Sequence, residues 1–311
     1  MRFYYFRKDD EIMTQVLLGA LSLGLLWAIM TIGVYITYRV LDIADLSVEG
    51  TLPLGAAVAC MLIADGCNPY LASLAALLCG CIAGACTGFL HTKLKIPALL
   101  SGILTMISLY SINMRIMDGK PSVYILRKPT VFKPLQNLGL DANVSMIIVG
   151  FVCAMLVISI LYWFFGTELG SAIRATGNNQ RMVRAQGINT DTMKIIGLMI
   201  SNGLAALSGA FIAQNQSFAD VQMGTGSIVI GLASLIIGEV LFSSRGFYGR
   251  LFALILGAIV YRVIIALVLK FGMNPNDLKL FTAITVAIAL WLPQGKSLAH
   301  TFMKSLKKEA A

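Results

Sequence analysis

The sequence predicts an all-α polytopic membrane protein that crosses the bilayer eight or nine times. The chain has 311 residues, of which 58% are hydrophobic and only 13% charged, whereas about a quarter of the residues in a soluble domain are charged. Its apolar runs are long, and a bilayer core of roughly 30 Å requires about 20 apolar residues per helix. The short alternating segments of a transmembrane barrel are missing. We therefore expect residues 1–311 to form one transmembrane domain.

Nine apolar segments are candidate spans, separated by loops rich in Gly, Pro and Asn. In chain order they cover residues 13–38, 51–65, 69–92, 96–114, 143–166, 193–214, 225–243, 249–270 and 278–293. The first is too long for the apolar core of a signal peptide and is expected to be a span. The second is short and follows a charged stretch, which predicts a broken or half helix near residues 42–65.

The placement of Lys and Arg predicts the orientation of the chain. Basic loops stay preferentially on the cytoplasmic side, which places residues 167–192 and the basic tail 294–311 inside and the loop 115–142 outside. The tail is expected either to lie on anionic lipid as a short helix or to be solvated. Nine full spans would put the termini on opposite sides. Either the segment 51–65 is a half helix, which leaves eight full spans, or the N-terminus lies outside.

Composition also argues against several classes of function. The net charge of +9 is explained by the bias toward basic cytoplasmic loops, and no basic stripe is interleaved with aromatic residues, so nucleic acid is not expected as a partner. The six cysteines form no CxxC pair, and the two histidines, His91 and His300, lie far apart in the chain. Because neither metal-ligand spacing nor a nucleophile–base arrangement is found, we predict no metal site and no enzymatic activity.

The long polar segment 167–192 is the candidate docking module. If it is one helix, Arg174, Asn178 and Arg181 share a face with Ala185 and Ile188. Gly177 and the Asn178–Asn179 pair could instead divide it into two short helices. Either form offers a small basic and apolar docking surface, and the alternative is an ordinary basic loop that fixes topology. The candidate coupling residues are Gly170, Arg174, Ala175, Gly177, Asn178, Asn179, Arg181, Arg184, Ala185, Gly187 and Ile188.

Polar residues near membrane depth are candidates for a translocation pathway. Such groups are costly in lipid and face a bundle interior or a pathway. The candidates are Asp42, Asp45, Ser47, Glu49, Asn113, Asn202, Gln214, Asn215 and Glu239. Each could instead form packing interactions: ion pairs, such as Arg39 with Asp42, or hydrogen bonds between helices.

Two further patterns concern packing and repetition. Gly80, Gly84 and Gly88 form a stripe of small residues that lets another helix approach closely, and we expect that neighbour to belong to the same subunit. Residues 43–57 also resemble residues 218–233, with Asp45 matching Asp220. This similarity indicates either an ancient duplication or a chance likeness between two segments that each lead from a loop into a helix.

The basic segment resembles the coupling segment of ATP-binding-cassette importer permeases of the branched-chain amino acid and ribose type. The likeness runs over Gly170-x3-Arg174-Ala-Thr-Gly177-x-Asn179 and Ala185-x-Gly187-Ile188, and IADLSVEG at 43–50 resembles the family's DLSVG signature. Residues 90–104 and 109–122 are most similar to the group labelled tryptophan/tyrosine or unknown-substrate permeases. Glu49 departs from the sugar-type pattern, which argues against a sugar as the substrate.

This resemblance implies a multi-pass permease subunit of the bacterial inner membrane that carries a small polar organic solute, such as an amino acid. It implies a second permease copy, an extracytoplasmic substrate-binding lipoprotein, and a separate ATPase that binds ATP and grips residues 170–188. The chain itself has no P-loop, since Leu290 stands where the motif around Gly295-Lys296-Ser297 needs glycine, so no cofactor of its own is expected.

Two alternatives remain open at the level of sequence. The first is a secondary transporter that uses Asp45, Glu49 or Glu239 to couple to an ion gradient. The second is a scaffold or receptor subunit without transport activity.

Overall fold

The computed structural model describes residues 2–242, 246–270, 280–284 and 287, with side chains from residue 13 onward. The predicted tail and most of the ninth predicted span lie outside the described residues. The elements are α1 (Arg2–Tyr35) with a π-helical turn (Ile36–Val40), α2 (Val48–Ala64), α3 (Pro69–Thr92), α4 (Ala98–Ile116), β1 (Ser122–Tyr124), α5 (Lys133–Asn137), α6 (Ala142–Gly166), α7 (Glu168–Asn178), α8 (Gln180–Ala185), α9 (Thr190–Gln216), β2 (Phe218–Asp220), α10 (Ser227–Leu241) and α11 (Phe247–Lys270).

The described part of the chain is almost entirely helical, as expected for the predicted class. Six of its helices are long and apolar enough to cross a membrane: Met13–Val40, Pro69–Thr92, Ala98–Ile116, Ala142–Gly166, Thr190–Gln216 and Phe247–Lys270. Two further apolar helices, α2 and α10, are shorter, at 17 and 15 residues. The strands β1 and β2 form a small antiparallel pair in which Val123 faces Ala219.

The helices run between two ends of the bundle. At one end, which we call the basic end, α7 lies beside the C-terminal ends of α1 and α6, and α8 lies beside the start of α9. At the same end, Lys194 Nζ of α9 lies 3.4 Å from His91 Nε2 of α3. At the other, the sheet end, the strand pair lies close to the C-terminal end of α2, where Lys128 Nζ donates to the Ala64 carbonyl at 3.0 Å. The predicted inside and outside loops thus lie at opposite ends.

The first helix begins at the sheet end and finishes at the basic end. It runs antiparallel to α9, because Ser208 Oγ donates to the Leu26 carbonyl and Ser201 Oγ to the Gly33 carbonyl, both at 2.8 Å. Near its start, Met13 Sδ lies 3.3 Å from Lys270 Nζ at the end of α11. The start of α1 and the basic segment are therefore at opposite ends, which agrees with the alternative that the N-terminus lies outside.

Two crossings of the bundle are only partly helical. After the π-helical turn the chain turns at Asp42, which has a φ of 56°, and stays non-helical until α2 begins at the level of the middle of α9. Residues 221–226 form a second non-helical stretch, which directly precedes α10. These two crossings meet, since Gly224 packs so closely on the Glu49 carbonyl that a side chain there would overlap it.

The repeat noted in the sequence coincides with a repeated local structure. Asp45 Oδ1 accepts from the Ser47 amide at 2.9 Å, and Asp220 Oδ1 accepts from the Gln222 amide at 2.7 Å. In both segments the aspartate carboxylate thus accepts a hydrogen bond from the backbone amide two residues later and stabilises a turn. A short apolar helix follows each turn. The helices that follow point to opposite ends of the bundle, because α2 ends near Lys128 whereas α10 ends near Arg39.

The glycine stripe of α3 packs inside the subunit, as predicted. Gly80 and Gly84 lie against the Asn202 and Leu198 carbonyls of α9, and Gly88 lies against Ile195. There is no room for a side chain at any of the three positions, so the backbones of α3 and α9 approach closely over the whole stripe.

Substitution of Gly84 by valine is therefore expected to separate α3 from α9 and to destabilise the fold by about 1–3 kcal/mol, the usual penalty for overpacking. Cys86 lies on the same helix but is exposed, so Cys86→Val is the matched control and should leave stability unchanged. Thermal unfolding of the purified variants in detergent measures both. Equal midpoints for the two variants would contradict the assigned packing.

Candidate functional site

The basic segment folds as two short helices rather than one. Thr167 caps α7, with the Gly170 amide donating to its Oγ1 at 3.4 Å, and Asn179 caps α8, with the Met182 amide donating to its Oδ1 at 3.1 Å. Asn179 has a φ of −154°, which interrupts the helix between α7 and α8. Gly187, at a φ of 83°, ends α8 where a side chain would be strained. Of the two predicted forms, the divided one is found.

One face of this segment anchors it to the bundle. Ile173, Thr176 and Val183 are buried, and Gly177 packs directly on the Val40 carbonyl at the end of α1. Gly170 similarly packs on the Phe164 and Phe165 backbone. The two glycines therefore belong to the anchoring face, where their lack of a side chain permits close backbone contact.

The three predicted arginines have different surroundings. Arg174 donates to the Phe165 carbonyl at 2.8 Å and lies over the Phe247 ring, which ties α7 to α6 and α11. Arg184 donates to Thr190 Oγ1 at 2.7 Å and pairs with Asp191 at 3.1 Å, which ties α8 to α9. Both cations thus brace the segment.

The outward surface of the segment consists of its exposed side chains that form no contact with the bundle through Arg174 or Arg184. Within the described part of the chain, Arg181 is exposed and has no hydrogen bond or ion pair, and beside it Met182 is 43% exposed. Asn178, Asn179, Ala185 and Gly187 are exposed as well, while Ala175 and Ile188 are partly buried. The predicted coupling residues therefore divide into an anchoring set and an outward set, and Arg181 belongs to the outward set.

A short chain of contacts leads from this segment to the first broken crossing. Gly177 of α7 touches Val40, and the next residue, Leu41, packs on Gly197 of α9. The non-helical stretch that precedes α2 starts immediately afterwards. A displacement of α7 would consequently act on the point where the first broken crossing begins.

The predicted pathway residues do not share one location. Asp45, Ser47 and Asn202 form a closed network deep in the bundle: Asn202 Nδ2 donates to Asp45 Oδ2 at 2.8 Å, and Ser47 Oγ lies 2.6 Å from Asp45 Oδ1. Thr51 Oγ1 donates to Asn202 Oδ1 at 3.0 Å. All four are at most 3% exposed. Because every member is paired, this network fastens the non-helical stretch before α2 to the middle of α9.

Gln214 and Asn215 lie near the sheet end. Gln214 Nε2 donates to Ser73 Oγ at 2.9 Å, and its Oε1 accepts from the Val131 amide at 3.1 Å. It thereby fastens the long loop after β1 to α3 and α9. Asn215 is partly buried, and no hydrogen bond to its side chain is found in the described part of the chain.

Arg39 does not pair with Asp42, the nearby partner that the sequence allowed. Arg39 Nε instead pairs with Glu239 of α10 at 3.2 Å, because the chain turns away after the π-helical turn and leaves Asp42 exposed. Asp42 lines an open cavity of about 790 Å³ at the basic end together with Arg174 and Asn178. Glu239 and Asp42 therefore lie near the basic segment and away from Glu49.

A separate cavity of about 360 Å³ opens between α2, α4 and the segment that leads into α10. Two predicted pathway residues, Glu49 and Asn113, line it, and sequence reasoning missed the others. These are Gly50, Pro53, Met106, Ile107, Tyr110, Ser111, Val221 and Thr225. The pair of similar segments 43–57 and 218–233 could have indicated four of them, since Gly50 and Pro53 lie in the first segment and Val221 and Thr225 in the second.

Glu49 has a partner across this cavity. Its Oε1 accepts from the Gly226 amide at 3.1 Å, at the start of α10, where a carboxylate is favoured by the free amides and the helix dipole. The cavity thus holds a carboxylate, an amide and three hydroxyl groups beside an apolar wall. Among the described residues, no group of three His, Cys, Asp or Glu side chains could hold a metal ion.

A helical membrane bundle with two partly non-helical crossings and a cavity between them is the arrangement expected of a transport protein. Comparison with known families agrees, since residues 16–290 match the family described as branched-chain amino acid transport system/permease component. The chain belongs to this family. It is a permease subunit of an ATP-binding-cassette importer in the cell membrane and is not itself an enzyme. Permeases of this family work with a separate ATPase and a substrate-binding protein.

Several relatives span most of the chain. The tyrosine transport system permease protein of Clostridioides difficile (strain R20291) is 43% identical over 270 residues, which cover 87% of this chain and 88% of the relative. An uncharacterized protein of Rickettsia prowazekii (strain Madrid E) is 34% identical over 88% and 96% of the two chains. The ribose import permease protein of Escherichia coli (strain K12) is 29% identical over 75% and 71%. No solved structure matches the chain.

Proposed function

We propose that this permease imports an amino acid, with tyrosine as the first candidate substrate. The observation that carries the proposal is the cavity that Glu49 and Asn113 line, because a carboxylate and an amide beside an apolar wall suit a polar solute with an apolar part. The relative from Clostridioides difficile, named for tyrosine transport, supports the choice of the first substrate to test. ATP binds to the partner ATPase, and this chain takes no cofactor of its own.

The ATPase docks on the outward surface of α7 and α8. Support comes from the exposed Arg181, which has no hydrogen bond or ion pair in the described part of the chain, and from Met182 beside it, which is 43% exposed. The attachment of the opposite face to the bundle also supports docking. Movement of the ATPase would displace α7, and the contact of Gly177 with Val40 would pass that displacement to the first broken crossing. Asn178, Asn179, Ala185 and Gly187, which are exposed as well, extend the docking surface beside Arg181.

The chain forms one transmembrane domain with nine crossings and an external N-terminus. The antiparallel course of α1 and α9 supports this topology, with α2 and α10 completing the two broken crossings. The basic end then faces the cytoplasm, and the sheet end faces the binding protein.

The functional unit is a homodimer in which a second copy covers the Glu49 cavity. A carboxylate close to membrane depth is costly if it faces lipid, and the cavity is flanked by Ile107 and Tyr110, which are 59% and 52% exposed. Glu49 is kept away from lipid either by a second copy or by facing the translocation pathway. A pathway that runs between two copies meets both conditions.

Reconstitution tests this function. Proteoliposomes that contain the permease, its ATPase and the binding protein are expected to accumulate labelled L-tyrosine only when ATP is supplied on the side of the ATPase. The control contains an ATPase that binds ATP without hydrolysing it. Uptake by the permease alone, driven by an ion gradient, would contradict the proposal and favour a secondary transporter.

A further inference from the structure

One buried polar atom in the cavity has no partner. Asn113 is 1% exposed; its Nδ2 donates to the Gly50 carbonyl at 3.2 Å, whereas its Oδ1 has no hydrogen-bond partner in the described part of the chain. Buried amide oxygens are nearly always hydrogen-bonded in folded proteins, and an unpaired one is a costly exception. Asn113 also lines the cavity, so an occupant whose donor reaches this buried oxygen would supply the missing hydrogen bond.

The orientation of this amide is fixed by its neighbour. Because the nitrogen is held by Gly50, the residue next to Glu49, the atom left for an occupant is the acceptor. The Glu49 carboxylate lines the same cavity and uses Oε1 to accept from the Gly226 amide. An ionised carboxylate can accept further hydrogen bonds and donates none.

The cavity therefore offers acceptors and negative charge to its occupant. The hydroxyl groups of Tyr110, Ser111 and Thr225 can adapt as donors or acceptors, while Met106 and Ile107 provide apolar surface. Neither the ionised Glu49 side chain nor the free oxygen of Asn113 can donate a hydrogen bond into the cavity, so donation by these side chains is left to the three hydroxyl groups. A neutral sugar would bring no positive charge to Glu49, whereas a protonated amine would bring one and would give both acceptors short, charge-assisted hydrogen bonds.

We propose that Glu49 and Asn113 form a binding site for the protonated amino group of the transported solute. The pair then sets specificity for solutes that carry an ammonium group beside an apolar part. The inference rests on the proposed import function, and it explains the departure at Glu49 from the sugar-type pattern. The alternative is that Glu49 serves only to cap α10 through Gly226.

A carbodiimide labelling experiment tests the site without any transport step. The full permease in detergent is treated with dicyclohexylcarbodiimide, which modifies carboxyl groups in apolar surroundings, and modification of Glu49 is followed by mass spectrometry. We expect L-tyrosine and tyramine to slow the modification at least about fivefold, whereas the deaminated analogue 3-(4-hydroxyphenyl)propionate should give no protection. Equal protection by all three compounds, or none by either amine, would overturn the ammonium site.

Uptake by the reconstituted importer supplies the second readout. Glu49→Gln keeps an oxygen that can accept from Gly226 and removes the charge, so it should raise the KM for L-tyrosine at least about tenfold with an unchanged thermal midpoint. Asn113→Leu should raise the KM as well. Asp118→Asn, at an exposed loop carboxylate, is the matched control and should behave as the wild type.

The outcomes separate the two proposals. A wild-type KM in Glu49→Gln would reduce Glu49 to a cap and overturn the inference while import stands. Failure of the wild-type importer to use ATP would overturn the proposed function, and the labelling experiment would still decide whether amines occupy the cavity.

Discussion

Replacing Asn202 with leucine is expected to destabilise the folded permease by about 3 kcal/mol. Asn202 donates to the Asp45 carboxylate at 2.8 Å and accepts from Thr51, and both partners are buried. Hydrogen bonds to charged groups contribute about 1.5–3 kcal/mol, and a buried acceptor left without its donor adds a desolvation penalty. The loss would also release the non-helical stretch before α2 from α9, so transport should fail together with stability.

The same substitution elsewhere on α9 provides the control. Asn215 is only partly buried and has no hydrogen bond to its side chain in the described part of the chain, so Asn215→Leu should change stability by no more than about 0.5 kcal/mol. Thermal and denaturant unfolding in detergent compare the two variants. A stability of Asn202→Leu equal to that of Asn215→Leu would show that the buried network does not hold the broken crossing in place.

Replacing Arg181 with glutamate is expected to weaken binding of the ATPase at least tenfold, which corresponds to about 1.4 kcal/mol. Arg181 is exposed on the outward surface, and its side chain has no hydrogen bond or ion pair among the described residues. Reversal of its charge therefore acts on the partner and leaves the permease fold intact. Coupled uptake should fall with the binding, while the unfolding midpoint of the isolated permease stays the same.

Two controls separate docking from bracing. Arg181→Lys retains the positive charge and should retain most of the binding. Binding is measured as the affinity of the permease variants for surface-immobilised ATPase at a fixed salt concentration. Arg184→Gln removes the brace to Asp191 and Thr190, so it should lower the stability of the permease as well as binding. If Arg181→Glu binds the ATPase as tightly as the wild type, the outward surface is not the docking surface.

Features set by local sequence could be predicted well. Apolar runs located the six long helices, because length and hydropathy suffice for a membrane span. The small-residue spacing of α3 correctly indicated a close helix contact within the subunit. The basic segment divides at Asn179 because an asparagine side chain caps the following helix more readily than it continues the preceding one.

Features set by distant parts of the chain could not be predicted in this way. Arg39 pairs with Glu239, which is 200 residues away, and nothing near Arg39 in the sequence indicates this partner. Asp45 and Glu49 stand four residues apart, a spacing that places them together on one helix. Because α2 begins only at Val48, Asp45 turns into the buried network and Glu49 faces the cavity.

The arginines of the basic segment illustrate the same limit. Arg174, Arg181 and Arg184 are alike in residue type and lie close together in the chain, and the sequence predicts docking for all three. Only the tertiary contacts distinguish the two that hold α7 and α8 in place from the one that remains available. The orientation of α1 stays open in the sequence for a related reason, since basic residues flank the first span at both ends.

Site-specific photocrosslinking at position 181 decides whether the basic segment is the docking site of the ATPase. A photoreactive amino acid replaces Arg181 in membranes that contain the permease, its ATPase and the binding protein, and the crosslinked partner is identified by mass spectrometry. We expect a crosslink to the ATPase whose yield changes when ATP is added. A crosslink to the binding protein, or an importer that works without any ATPase at this surface, would show that force does not enter the permease through α7 and α8.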